Sequence, residues 1–273
     1  MLEIIKKYSI NAKKSFWQNF LLDEKVLNEI ASISNIDWEN ILEIWPWFWA
    51  LTNILISKKP ESLTLVELDK DMIKILDDRV LKKDLDISYL WNFEIVNQDI
   101  LKYEPKQKNY KIIANIPYYI TSPIIFKFLY ESENRPKEMI ILMQKEVWDK
   151  ILDWKKDKNT KKTKTSFLSL FVQKKCTVSQ KIFVPKNSFY PAPKVDSTVL
   201  FFELHDRYKG LDDEVFLKFI KASFSNPRKK MLSNLSNFWY DRSLFLQKLI
   251  DIWFWENTRA EELSLEDYIS ILS

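Results

Sequence analysis

The chain has 273 residues, 46% of them hydrophobic, with 42 Lys and Arg against 38 Asp and Glu and a net charge of +4. One cysteine, Cys176, excludes an internal disulfide and points to a reducing compartment; with one histidine, His205, it excludes a His/Cys zinc site. No apolar run reaches the ~18 residues of a membrane helix, and the N-terminus is charged rather than signal-like, so a cytoplasmic protein of one large domain, or a large plus a small one, is expected.

Residues 24–33 have helical apolar spacing behind Asp23 as N-cap. Asn40–Ile44 reads as a short strand, and Ala50–Ile56 as a helix beyond the turn that follows it. Leu63–Leu68 is a second strand, ending in Glu67-Leu68-Asp69, with a helix over Asp71–Arg79. Phe93–Val96 closes at Asn97-Gln98-Asp99, and Lys111–Ala114 runs into Asn115-Ile116-Pro117-Tyr118. Ser122–Tyr130 is helical after Pro123, and Glu138–Gln144 is a fifth strand. This βαβ rhythm predicts an α/β fold with a parallel sheet and helices on both faces. Lys155–Lys164 reads as an exposed polar loop, and Lys174–Val184 and Asp196–Leu204 as a late strand pair. From Asp212 the pattern is helical (213–225, 229–238, 242–251, 260–262, 265–272), which predicts a small all-α domain over 206–273 behind a first domain over 1–205.

Composition holds one further oddity: a single glycine, Gly210, and eleven tryptophans. Ordinary usage is about 7% glycine, so roughly 19 would be expected. The tryptophans stand where such a fold needs glycine, most clearly in Ile44-Trp45-Pro46-Trp47-Phe48-Trp49-Ala50-Leu51-Thr52. With glycine at the three Trp positions this is a nucleotide-binding turn after a strand. We read these letters as glycine codons, as arises when a UGA that its host decodes as glycine is translated as tryptophan. The alternative is a genuine Trp-rich protein whose turn is blocked.

Ligands of open parallel sheets bind outside the carboxyl ends of the strands. Here those ends carry the Trp45–Trp49 turn, Glu67, Asp99 and Asn115–Tyr118. A carboxylate some 20 positions after a glycine-rich turn suits a ribose diol, which is the reading of Glu67; Asp99 suits an adenine amino group. Asn115 offers a carbonyl oxygen to an exocyclic amine, Pro117 stiffens the loop, and Tyr118 offers a stacking face, the parts needed to hold a flipped-out adenine. Lysines 155–164, lysines 6, 7, 13 and 14, and Arg228-Lys229-Lys230 are compatible with a phosphate-rich partner.

Six ordered motifs then resemble one family, the ribosomal RNA adenine N6,N6-dimethyltransferases. They are Phe16–Leu21, Trp45–Thr52, Asn115–Tyr118, Phe189-Tyr190-Pro191-Ala192-Pro193-Lys194-Val195-Asp196-Ser197, Asn226–Lys230 and Asn257–Ser264. The resemblance implies a Rossmann-like class I methyltransferase sheet with a C-terminal helical RNA-binding domain, and S-adenosyl-L-methionine as cofactor. It implies cofactor contacts at Asn19, Leu21, Trp45, Glu67, Asp99 and Asn115, and catalytic roles for Asn115, Pro117, Tyr118 and Phe189, the last covering the target base. The expected partner is 16S rRNA within an immature small ribosomal subunit, the expected substrate two adjacent adenines of the 3′-terminal hairpin loop, and the expected state a monomer without a membrane. Trp17, Trp45, Trp47, Trp49, Trp253 and Trp255 stand where the family has glycine or turn residues; Trp38, Trp91, Trp148 and Trp239 are read the same way. Three other readings stay open: a large-subunit adenine methylase of the macrolide-resistance type, a non-catalytic ribosome-assembly factor if the tryptophans are genuine, and a nicotinamide dehydrogenase, which leaves Asn115–Tyr118 unexplained.

Overall fold

The structure, a computed structural model, describes residues 19–47, 49–82, 87–152 and 165–273. Phe16–Gln18, Phe48, the lysine-rich stretch 155–164 and the side chain of Tyr118 lie outside the described residues.

The strands are β1 (Phe20–Leu21), β2 (Asn40–Ile44), β3 (Ser62–Glu67), β4 (Asn92–Asn97), β5 (Tyr110–Asn115), β6 (Glu138–Gln144), β7 (Cys176–Val184), β8 (Phe189–Tyr190) and β9 (Ser197–Leu204). Seven form one sheet in the order β4-β3-β2-β5-β6-β9-β7. From β4 to β6 every pairing is parallel, and β9 closes antiparallel on β6, with Glu138 opposite Glu203 and Gln144 opposite Ser197. The inner parallel strands are mostly apolar and buried, every residue of β3 among them, while the edge strand β4 is half-exposed. A separate two-stranded sheet pairs β1 antiparallel with β8, Phe20 opposite Tyr190 and Leu21 opposite Phe189.

The crossover helices begin where short polar side chains cap them. Asp23 accepts from the backbone N–H groups of Lys25 and Val26 at the start of α1 (Glu24–Ile30), and Asp69 from that of Asp71 at the start of α3 (Lys70–Leu81). Between them α2 (Ala50–Ser57) follows β2 directly, and its N-cap position, Trp49, is left-handed with no side-chain cap. Ser122–Tyr130 is less regular than expected: α4 (Thr121–Phe126) continues as a π-helical turn over Lys127–Glu131.

Two helices went unread in the sequence. One is α5 (Lys145–Leu152). The other is α6 (Phe167–Lys175), begun by a capping box in which Ser166 and Ser169 satisfy each other's backbone N–H groups. The strand expected from Lys174 therefore starts at Cys176. The C-terminal helices are α7 (Asp213–Ser223), α8 (Met231–Ser236), α9 (Arg242–Asp251) and α10 (Leu265–Leu272). The chain divides into two compact units, Met1–Lys145 with Val178–Leu204, and Glu146–Thr177 with His205–Ser273. Residues 146–177 thus belong with the C-terminal helices, not with the first domain in which a boundary at 205 would put them. That second unit has its own core around Phe219, whose ring meets Tyr240 at 5.4 Å, Phe245 at 5.1 Å and Tyr268 at 6.1 Å.

Candidate functional site

Chain order runs outward from β2 through β3 to β4, then returns to β5 on the other side of β2 and continues to β6. The carboxyl ends of β2 and β5 therefore flank a topological switch point, where open sheets leave a crevice. The four adjacent ends carry, in spatial order, Asp99, Glu67, the turn 45–49 and Asn115.

The turn is left-handed at Trp45 (φ 56°), Trp47 (φ 54°) and Trp49 (φ 86°). Its backbone is well bonded: the N–H of Trp45 donates to Val66 O and that of Trp49 to Pro46 O, both at 3.0 Å. The strain lies in the side chains. An L-residue in the left-handed region costs roughly 1–2 kcal/mol, which glycine avoids. The indoles of Trp45, Trp47 and Trp49 are 4%, 6% and 0% exposed, and Trp49 Nε1 is buried without a hydrogen-bond partner among the described residues. Such an orphaned donor costs about 1–3 kcal/mol.

The same signature recurs elsewhere. Of the eight left-handed non-glycine residues among those described, six are Trp: 38, 45, 47, 49, 239 and 253. After α9, the N–H of Trp253 donates to Ile250 O and that of Phe254 to Leu249 O. After α8, the N–H groups of Trp239 and Tyr240 donate to Ser236 O and Leu235 O in the same way. Both are Schellman closures, whose left-handed position is ordinarily glycine, and the two indoles there are 97% and 87% exposed. Trp91 and Trp255 are exposed without a left-handed backbone, and Trp148 lies inside α5, so geometry makes no demand for glycine at those three. Trp17 and Trp154 lie outside the described residues.

Glu67 ends β3 at 1% exposure. Its Oε1 accepts from the N–H of Asp69 at 2.8 Å, while Oε2 is buried with no partner among the described residues. Burial, opposed by that hydrogen bond, pushes its carboxyl up to about 8. A buried acceptor without a donor, at a strand end, fits a ribose hydroxyl. Asp99 is half-buried; its Oδ1 accepts from the N–H of Leu101 at 3.0 Å, so part of its carboxylate serves its own turn.

Asn115 is half-buried at the end of β5, and its carbonyl oxygen accepts from the indole N–H of Trp47 at 2.9 Å. Pro117 (φ −59°) is buried and starts the helical turn Tyr118–Ile120. Phe189 is 5% exposed and packs into the core with Leu21 and Val184, so its ring faces core rather than an open crevice. Asn19 is half-buried and Leu21 fully buried beside it.

A pocket at the switch point collects Leu21, Trp45 and Asn115 from the expected cofactor set, with Phe20, Glu43 and Trp47, but not Glu67 or Asp99. Its volume is about 10 Å³. That is room for one water, whereas ligand pockets run to several hundred Å³. The polar groups suit a nucleoside cofactor; the indoles of Trp45 and Trp47 line what space remains, while Trp49 packs in the core against Phe93.

Glu43 was missed. It sits on β2 under the turn, 1% exposed, and accepts from the hydroxyl of Thr52 in the first turn of α2 at 2.7 Å. Burial first, and then the charge of Glu67, push its carboxyl up to about 8. A lone carboxylate inside an otherwise apolar buried strand, Ile41-Leu42-Glu43-Ile44, was the available signal.

The C-terminal unit carries a second cavity of about 590 Å³, lined by Arg228, Lys229, Lys230, Ser233, Asn257 and Arg259. The turn holding it is organised by Asn234, whose Nδ2 donates to Ser223 O and Asn226 O. Two motifs distant in sequence thus meet as one basic surface. Among the described residues, no cluster of His, Cys, Asp and Glu could hold a metal ion, and no helix is long and apolar enough to cross a membrane.

Comparison with known proteins agrees with this arrangement. Residues 9–273 match the family model described as ribosomal RNA adenine dimethylase. A Mycoplasma mobile protein named ribosomal RNA small subunit methyltransferase A is 39% identical over 230 residues, 84% of this chain and 85% of that one. One of the same name from Mycoplasmopsis pulmonis is 38% identical over 268 residues, 96% of this chain and 98% of that one. Among solved structures, a dimethyladenosine transferase from Plasmodium falciparum superposes with a TM-score of 0.76 at 23% identity, covering 93% of this chain and 96% of that one. The 23S rRNA methyltransferase ErmE does so with 0.70 at 22%, covering 93% and 98%. Both share the fold, a class I methyltransferase sheet. By family match and by relatives that span nearly its whole length, the chain belongs to the ribosomal RNA adenine dimethylases.

Proposed function

We propose that this protein dimethylates N6 of adenine in small-subunit ribosomal RNA, with S-adenosyl-L-methionine as methyl donor and, at positions 45, 47 and 49, glycine in the native chain. The observation that carries the reading is the meeting of the 45–49 turn and Asn115 at the switch point, with the unpartnered carboxylate oxygen of Glu67 at the next strand end. The relatives named small subunit methyltransferase A support the choice of RNA.

The cofactor supplies an electrophilic methyl group on a sulfonium. The chain's own groups do the rest. Glu67 accepts from the ribose diol, and Asp99 takes the adenine amino group. The backbone of the turn approaches the cofactor as closely as the absence of Cβ atoms allows. N6 of the target adenine is a weak nucleophile because its lone pair is conjugated with the ring. Asn115 and the backbone near Pro117 accept its hydrogens and turn the lone pair toward the methyl, while Tyr118 stacks on the base; Phe189, turned into the core, supports the loop from behind. No strong base is required, and most of the acceleration is positioning. Two adjacent adenines of the 3′-terminal hairpin loop of 16S rRNA, in an immature subunit, are the substrate we infer, since unpaired loop bases are what proteins read in RNA. The basic cavity of residues 206–273 holds backbone phosphates, and the enzyme acts as a cytoplasmic monomer.

The test is methyl transfer from labelled cofactor to small subunits lacking the modification, using chain with glycine at the turn. Transfer that is lost in Asn115→Ala supports the reading; no transfer, or full transfer by that variant, refutes it. One observation favours a second reading. As spelled, the indoles leave about 10 Å³ at the switch point. Genuine tryptophan there makes the protein an assembly factor that keeps the fold without the cofactor.

A further inference from the structure

The loop from Lys186 to Asp196 carries a surface that the cofactor chemistry does not use. The N–H of Lys186 donates to Asp196 Oδ1 at 3.0 Å, which joins the two ends of the loop. Its near end is tied again to the N-terminal segment: Ser188 Oγ donates to Asp23 Oδ2 at 3.0 Å, and the N–H of Leu22 to Ser188 O at 2.9 Å. Strand pairing with β1 then sets which way each side chain of β8 faces. Phe189 goes into the core, so its neighbour Tyr190 must go out, and it is 51% exposed. Lys186 and Lys194, four residues to either side of Tyr190, are exposed as well. The loop thus presents an aromatic face on a pinned backbone, with an exposed lysine four residues away on either side.

We propose that Tyr190 is a stacking platform for the unpaired nucleotide next to the modified adenine, with Lys186 and Lys194 on its flanking phosphates. The inference rests on the RNA reading above. Its chemistry is that of single-strand recognition, in which bases stack on aromatic side chains and cations follow the backbone. Register places it near the site: Tyr190 pairs with Phe20, and Phe20 lines the switch-point pocket together with Asn115. The surface contains no tryptophan, so it stands whichever residue occupies positions 45, 47 and 49.

The probes are two hairpin RNAs whose loops hold adjacent adenines, one with 2-aminopurine on the 5′ side of the target and one on the 3′ side. Full-length protein should quench one of them. Tyr190→Ala should abolish that quenching and raise KM for RNA on the order of tenfold. KM for the cofactor and the melting curve should stay unchanged, and Tyr190→Phe should restore both RNA readouts. Lys186→Ala and Lys194→Ala should each lower the salt dependence of RNA binding by about one ion's worth. Unchanged quenching and KM in Tyr190→Ala overturns the proposal, as does equal loss of cofactor affinity. Quenching without methyl transfer by chain with glycine at 45, 47 and 49 would instead sink the enzymatic reading and leave the platform standing.

Discussion

The indole N–H of Trp47 donates to the backbone carbonyl of Asn115 at 2.9 Å, tying the turn after β2 to the end of β5 across the switch point. A glycine could make no such bond. The same contact that completes the fold as spelled also closes the crevice in which the family's chemistry would take place.

Peptide mass spectrometry of the protein from its native host should therefore find the segment spanning 45–49 lighter by three indolylmethyl groups. An intact-Trp mass, or UGG codons at these positions, would overturn the glycine reading and favour the non-catalytic one.

The two Schellman positions test the same idea through stability. Trp239→Gly and Trp253→Gly should each raise the unfolding free energy measured in urea, by about 1 kcal/mol apiece, because each relieves a left-handed L-residue whose side chain buries almost nothing. Exposed Trp91→Gly, without the left-handed backbone, should not; equal gains at all three would mean that backbone strain is not the cause.

Glu43 and Thr52 brace the turn from beneath. Thr52→Val should cost about 1–3 kcal/mol in chemical denaturation, since it leaves a buried carboxyl unpartnered. In glycine-restored chain the variant should also raise KM for the cofactor more than it lowers kcat. A kcat loss with unchanged KM would show that the brace does not act on the cofactor turn.

Acidity follows from the same pair. Glu43 and Glu67 are pushed up to about 8, above their ordinary value of 4.5. The folded chain thus holds protons that the unfolded chain has released between these values. The contribution is fully present below the ordinary value and fades as pH rises toward about 8, so the urea midpoint should fall over that window. Glu43→Gln should flatten the fall. Cofactor binding at neutral pH should release a proton as Glu67 ionises to accept the diol, visible as a buffer-dependent binding enthalpy. An enthalpy independent of the buffer would argue against Glu67 as that acceptor.

In the C-terminal cavity, Arg228→Ala, Lys230→Ala and Arg259→Ala should each weaken RNA binding at every sequence tested and reduce the salt slope by about one. An unchanged slope would remove this surface from the RNA interface.

Much of this was legible beforehand. Strands β2 to β6 are legible in the sequence as short apolar runs followed by Glu67, Asp99 and Asn115, because the inner strands of a parallel sheet are buried on both faces and polar residues gather where they end. Glycine's absence was legible too, since a turn motif states its need for glycine by position. The helix α6 was not, although Ser166 caps it, because its run Phe167–Val172 is apolar nearly throughout and shows no amphipathic period.

By itself the sequence determined the order of elements, the family and the four strand ends, all of which depend on local pattern. Tertiary structure alone decided that β1 pairs with β8, turning Phe189 inward and Tyr190 outward. It also decided that residues 146–177 belong with the C-terminal helices, that Arg259 joins Arg228–Lys230, and that Glu43 lies buried beneath the turn. Each of these rests on contacts between segments far apart in the chain, and burial and charge at such contacts are properties of the packed molecule that no local pattern encodes.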